Sequence, residues 1–219
     1  MSLEENRIRG DAHIRLTVLI TGEGHSEVQG PASLVCIANA RTLAAIEDKT
    51  AHAAISAWRH IDDTIVPPRI RAVANSHNSR FGLLEACRNG YDEAIFLILE
   101  GKVSEGEDSC FAMVQNGVLV TPPVAAAVLE SVTRSTLLEL AAQDLGLRVH
   151  ERKIDPTELY VADEAFFCGS GLEICPVLSV DQFPVGEGRI GPVTRQLWGA
   201  YEAVVRGRDK IRAGWLTPV

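Results

Sequence analysis

The sequence predicts a mixed α and β (α+β) protein in two unequal parts. Short β-rich runs are joined by turn dipeptides at Glu100-Gly101 and Asn116-Gly117, which favour hairpins over a repeating parallel sheet. Capped helical stretches are interspersed among those strands. A break at Val66-Pro67-Pro68 separates a thin first part, residues 1–66, from a denser second part, residues 67–219.

Composition narrows the class of function. The chain has 219 residues, 46% hydrophobic and 23% charged, which suits one large or two small globular domains. A formal charge of −8 with no basic stripe argues against nucleic acid, whose counterions only a basic patch displaces. The longest apolar runs, such as Ala94 to Leu99, are far too short to cross a bilayer, and the charged residues from Met1 to Arg9 do not resemble a signal peptide. The expected location is the cytoplasm, with no membrane partner. Five widely spaced cysteines without a Cys-x-x-Cys pair are expected to be buried reduced thiols, and the scattered histidines suggest no zinc site.

In the first part, His13 to Thr21 and Ser33 to Ala38 read as strands flanking an exposed loop from Gly22 to Gly30. Ala40 to Ala57 reads as mostly helical on its alanine content. Two strands and one helix leave open sheet edges, so this part needs a cover.

The second part begins with a helix from Asn78 to Arg88, ended by Asn89-Gly90. Strands are expected at Glu93–Leu99, Lys102–Glu105, Cys110–Gln115, Val118–Thr121, Val149–Lys153, Glu164–Cys168 and Ile174–Val180. Asp155-Pro156-Thr157-Glu158 is a capping pattern opening a short helix over Leu159–Ala162, and Gly191-Pro192 opens a last helix over Val193–Val205.

One stretch organises the candidate chemistry. Between Leu129 and Leu140, Ser131 or Thr133 can cap a helix that stops near Gly146. The unpaired first amides of such a helix, with its dipole, favour a phosphate. A second small-residue turn, Gly169-Ser170-Gly171, follows the strand-like run Ala165 to Cys168 and could meet the same phosphate. Most capped helices bind only their own backbone, so the pattern alone leaves both readings open.

Several motifs in order carry a resemblance. They include Asn75, Glu85-Ala86, Gly90-Tyr91-Asp92-Glu93-Ala94, Val103-Ser104-Glu105-Gly106, Gly117 to Pro123, Val132-Thr133-Arg134, Leu159 to Glu164, Glu173 to Val177 and Gly186 to Thr194. From Asp11 to the end the chain resembles the class IV, fold-type-IV aminotransferases that use pyridoxal phosphate, most of all the branched-chain amino acid aminotransferases. The resemblance implies a D-amino-acid-aminotransferase-like large domain and an incomplete small α/β domain that lacks the family's earlier strands. It implies a homodimer and a small-molecule amino acid or 2-oxo acid as substrate. Other class IV activities, aminodeoxychorismate lyase and D-amino acid aminotransferase, stand as alternatives.

The same resemblance implies site roles. Val132, Thr133 and Ser170 would hold the cofactor phosphate, matching the two anion sites above. Glu105 would face the pyridine nitrogen; on the residues alone it reads as a surface carboxylate at a strand end. Arg15, with His13 nearby and Gly171 in the glycine turn, would contact substrate; on the residues alone Arg15 is a solvent-facing strand arginine.

Three positions depart from the family pattern inside this site. The position of the Schiff-base lysine is Arg71, and a guanidinium stays protonated and forms no imine. The tyrosine that touches the cofactor hydroxyl is Ser76 here, and a substrate-side tyrosine is His13. Only Lys49, Lys102, Lys153 and Lys210 could supply another amine. Lys102 has the opposite strand parity to Glu105, and the others lie on exposed-looking segments. A non-catalytic family descendant with a retained phosphate-binding cleft therefore stands beside an active aminotransferase.

Overall fold

The computed structural model describes residues 2–42 and 44–217. Leu43, inside the stretch read as helical, lies outside the described residues, as do Met1, Pro218 and Val219 at the ends of the two expected parts. The chain divides into two compact units, one up to Ala45 and one from Ile46 onward.

The smaller unit holds a single turn α1 (Ser2–Glu5) and an antiparallel hairpin of β1 (Ala12–Ile20) and β2 (Ala32–Ala40). Its register places Ile14, Leu16, Val18 and Ile20 beside Ala38, Cys36, Leu34 and Ala32 on one face. That face is apolar, and apart from half-buried Ala38 these residues are exposed. His13 and Arg15 lie on the opposite face, paired with Asn39 and Ile37.

The larger unit is built on one mixed sheet. Its strands are β3 (Ala51–Arg59), β4 (Glu93–Leu97), β5 (Cys110–Gln115), β6 (Val118–Thr121), β7 (Arg148–Glu151), β8 (Glu164–Gly169) and β9 (Glu173–Val180). Among the described residues they run in the order β4-β3-β9-β8-β5-β6-β7, with β10 (Phe183–Pro184) beside β9. The centre is antiparallel, β9-β8-β5-β6, while β3-β4, β3-β9 and β6-β7 are parallel. Helix α2 (Ser76–Arg88) packs on β3 and β4. Helices α3 (Val132–Gln143) and α4 (Pro192–Val205) bury Leu137, Leu140, Leu197 and Val204 against Ala112, Val114, Phe166 and Ile174. The other face, with Phe111, Met113, Phe167 and Val177, packs under the 3-10 turn Pro156–Val161 through Ile154 and Leu159.

Local chemistry explains most of these elements. Asn116 and Gly117 both have positive φ, 51° and 72°, and close a two-residue hairpin in which Gln115 faces Val118. Asp155 and Glu158 form the expected capping box, with proline at its first helical positions. Helix α4 starts against a buried carboxylate: Glu164 accepts from the Val193 and Thr194 amides at 3.0 and 2.7 Å and from the Thr194 hydroxyl at 2.6 Å. Only glycine fits at its N-cap, because a Cβ on Gly191 would meet the Glu164 side chain at 2.0 Å. Glu164→Ala leaves these donors without an acceptor and should cost about 2 kcal/mol in a urea-denaturation experiment.

Four expectations are corrected here. Ala40–Ala57 is not a helix: after a 3-10 turn at Ile46–Lys49, Ala51–Arg59 is strand β3. Small Ala51 and Ala53 point into the core beside His52, which does not, and the neighbours β4 and β9 complete the ladder, so sheet pairing overrides alanine's helix propensity. Because β3 belongs to the large sheet, the two units meet between Ala45 and Ile46, whereas the proline break after Val66 falls in a loop of the larger unit. Lys102–Glu105 makes single bridges through Val103 and Glu105 rather than a strand. Finally, Cys110, Cys168 and Cys175 are buried, but Cys36 and Cys87 are exposed.

Candidate functional site

Strands β5 and β8 and the start of α3 converge on a cleft of about 410 Å³, lined by Arg71, Glu105, Ser131, Val132, Gly169 and Ser170 among others. That volume lies in the range of small-molecule sites, roughly 300–1,000 Å³. Ser131 caps α3, its hydroxyl accepting from the Arg134 amide at 3.3 Å. Val132, at the first position of the helix, is 82% exposed, while Thr133 is buried beneath it. The first amide-to-carbonyl bond of the helix is donated by the Ser135 amide to the Ser131 carbonyl at 3.0 Å, so the Val132 and Thr133 amides before it have no backbone partner inside the helix. Opposite, the chain leaves β8 at Gly169 and exposes Ser170 and Gly171. The two anion-favouring turns read from the sequence, through Ser131, Val132 and Ser170, thus border one cleft; Gly171 lies beyond its lining, and Thr133 sits behind it.

Glu105 is not a surface carboxylate: it is 9% exposed. The bridge to Cys110 and a bond from the Phe96 amide to its carbonyl fix the backbone. Both carboxylate oxygens are engaged, Oε1 at 3.1 Å from Nε2 of His60 and Oε2 accepting from the Leu129 amide at 3.2 Å. His60 Nδ1 in turn faces the Ile61 carbonyl at 3.2 Å, so both ring nitrogens face oxygen acceptors. Sequence reasoning missed His60 because it extended a helix through the residues that instead form β3 and deliver the ring to the site. It missed Leu129 because a backbone donor leaves no signature in residue type.

Arg71 stands at the mouth of the cleft, 61% exposed at its side chain and ion-paired to Asp108. Arg69 and Glu130, also lining residues, are 3.8 Å apart. Ser76 begins α2 and lines a narrower pocket with Asn75, His60, Arg71 and Glu105. Two buried polar atoms beside these pockets, Asn75 Oδ1 and Ser109 Oγ, have no hydrogen-bond partner. None of the lysines lines the cleft. Lys49 is paired with Glu173, Lys102 with Asp155 and Lys153 with Glu100, while Lys210 donates to the Gly207 carbonyl at 3.2 Å. His13 and Arg15 are exposed on β1 of the smaller unit.

Acidic residues crowd the loop that carries Asp108. Burial, helped by Glu107, Asp92 and Asp108, pushes the Glu93 carboxyl from its ordinary 4.5 up to about 7. Glu107 is also raised, first by burial and then by Asp108, with Arg71 and Arg80 opposing. A carboxyl whose pKa rises on folding stabilises fully below its unfolded value, and that stability is lost as pH climbs through the folded one. Glu93→Gln should therefore match the wild type near pH 4.5 and exceed its stability above pH 7. The expected gain is about 2 kcal/mol, after discounting for residual solvent screening, read as a shift in denaturation midpoint.

A mixed sheet flanked by α3 and α4, with a helix start and a glycine turn meeting over a buried glutamate, defines a fold-type-IV cofactor domain. The model of the amino-transferase class IV family matches residues 2–180, and the chain belongs to that family. A probable branched-chain-amino-acid aminotransferase of Aquifex aeolicus is 39% identical over 171 residues, 78% of this chain and 55% of that protein. The branched-chain-amino-acid aminotransferase of Pseudomonas aeruginosa is 43% identical over 142 residues, 65% of this chain and 46% of its own. Among solved structures, the branched-chain amino acid aminotransferase of Thermobaculum terrenum in its PLP form superposes with a TM-score of 0.91 at 42% identity, covering 99% of this chain and 71% of that one. The chain spans about half the length of the curated relatives it matches.

Proposed function

We propose that this chain is a branched-chain-aminotransferase-like protein whose cleft binds pyridoxal phosphate by noncovalent contacts and does not complete amino transfer. The carrying observation is Arg71 at the position the family resemblance gives to the imine-forming lysine, with the guanidinium ion-paired to Asp108 and no lysine lining the cleft.

The donor set fits the cofactor's two ends. Ser131, the outward amides at Val132 and Thr133, and Ser170 offer donors to a phosphate. Glu105, held by His60 and Leu129, would keep a proton on a pyridine nitrogen. The orphaned oxygens of Asn75 and Ser109 offer further polar contacts along the same walls. The fit fails at the aldehyde, where a permanently charged guanidinium offers no lone pair for a carbon-nitrogen double bond. When bound, the cofactor supplies an electron-withdrawing ring, but among the described residues no lysine lines the cleft to attach it or to relay a proton.

Supporting the enzyme reading instead, amino transfer between a hydrophobic amino acid and a 2-oxo acid, is Glu105, buried and held in one orientation by His60 and the Leu129 amide. A transamination assay with leucine, 2-oxoglutarate and added pyridoxal phosphate separates the two. The proposal expects no turnover at high protein concentration, together with fluorescence-detected binding of pyridoxal phosphate that inorganic phosphate competes away. We extend the proposal to a homodimer, because the apolar face of the β1–β2 hairpin needs a cover that a two-stranded sheet does not give itself. Gel filtration should return a species larger than the monomer.

A further inference from the structure

Two cysteines line the cleft and take no part in the donor set described above. Cys110 opens β5 and Cys168 lies near the end of β8, and the antiparallel register sets them directly opposite one another. Opposed residues point to the same face of a sheet, and both side chains belong to the apolar layer under α3 and α4. Each residue is 2% exposed, yet both line the cleft with Ser131 and Ser170. Directly opposed antiparallel residues have Cα atoms roughly 4.5–5.5 Å apart, inside the roughly 4.4–6.8 Å span of disulfides. Cys175, two positions from the start of β9, packs on the other face of the sheet, opposite Phe167.

We infer that Cys110 and Cys168 are a paired-thiol modification site, which a small hydroperoxide entering the cleft converts to a cross-strand disulfide. The Cys110 thiolate attacks one peroxide oxygen; the oxygen-oxygen bond breaks, and the departing hydroxide takes a proton to become water. Cys110 is then a sulfenic acid. Cys168 sulfur attacks the sulfenic sulfur, the sulfur-oxygen bond breaks, and a second water leaves. Overall, two thiols lose two hydrogens and two electrons, and one hydrogen peroxide becomes two waters.

The surroundings set the conditions. Burial pushes the Cys110 thiol up to about 12; Glu105 adds to this, while Arg134, a Ser131 hydrogen bond and Arg71 oppose it. Cys168 is raised as well, by burial first and then by Cys110 and Glu105, with Arg134 again opposing. The Cys110 thiol donates to the Leu129 carbonyl at 3.5 Å. Both thiols are therefore held protonated at neutral pH, and oxidation should quicken under mildly alkaline conditions. The bond would tie the start of β5 to the end of β8, between the Ser131 and Ser170 turns.

The test uses the full chain with the exposed thiols removed by Cys36→Ser and Cys87→Ser, treated with hydrogen peroxide at mildly alkaline pH. Intact mass should fall by two hydrogens without gaining oxygen, and dithiothreitol should reverse the change. Glu-specific digestion cuts after Glu173, separating Cys168 from Cys175, and should yield a linked peptide holding Cys110 and Cys168. Adding Cys110→Ser should abolish the linkage, and the peptide map of the parent decides the matter even if that variant misfolds. Oxygen added to either cysteine without a cross-link, a cross-link to Cys175, or recovery of both thiols reduced while the denatured chain oxidises would each overturn the inference. The readout is covalent state, so it stands apart from any result on cofactor binding.

Discussion

Replacing Arg71 with lysine is expected to convert a chain that borohydride leaves unlabelled in the presence of pyridoxal phosphate into one that is labelled on most molecules at a single site. The cleft already holds donors for a phosphate at Ser131 and Ser170 and a buried carboxylate at Glu105. Among the described residues, what its lining lacks is a neutral amine. The Arg71–Asp108 pair is more than half exposed on the arginine side, so losing the guanidinium costs about 0–1 kcal/mol of stability. The native lysines outside the cleft serve as internal controls, three of them paired with glutamate or aspartate. Intact mass and a peptide map after reduction give the answer. Labelling of Arg71→Lys at the engineered position, with none on the parent, places the defect at this one side chain.

The second large effect is on stability. Arg134 is 6% exposed and holds the first turn of α3 to the sheet: Nε donates to the Thr121 hydroxyl at 3.2 Å, and a terminal nitrogen donates to the Pro122 carbonyl at 2.9 Å and to Glu151 at 2.7 Å. Arg134→Met keeps much of the volume but strands the hydroxyl and carbonyl as buried acceptors. Glu151 is about half exposed and can turn to water, which limits the loss. Unfolding in urea should show the variant less stable by about 3 kcal/mol. Affinity for inorganic phosphate should fall with it, because Ser131 and Val132 are anchored through this arginine. A variant with unchanged stability would show that the helix start is held by its apolar face alone.

Much of this was readable from the residues, for identifiable reasons. The Asn116-Gly117 hairpin, the Asp155–Glu158 capping box, the Ser131 cap and the start of α4 at Gly191-Pro192 are local devices, in which a few neighbouring side chains dictate the backbone. The β3 segment was misread because its alanines suit a helix, and only pairing with β4 and β9, distant in the chain, makes it a strand. The division of the chain was misplaced for the same reason, since prolines mark a loop but not which sheet the preceding strand joins. At the site, the residue types were legible and their partners were not. Glu105 could be named, but its clasp by His60 and the Leu129 amide comes from the ends of two remote segments. Arg71 could be named, but its pairing with Asp108 depends on how the loop after Glu105 returns to the cleft.

The central claim is tested most directly by the covalent state of the unmodified chain. The protein is saturated with pyridoxal phosphate, treated with borohydride, then denatured and weighed. The account predicts the mass of the bare polypeptide, with the cofactor recovered free after denaturation. A pyridoxyl group retained on any lysine at near-stoichiometric yield would contradict it.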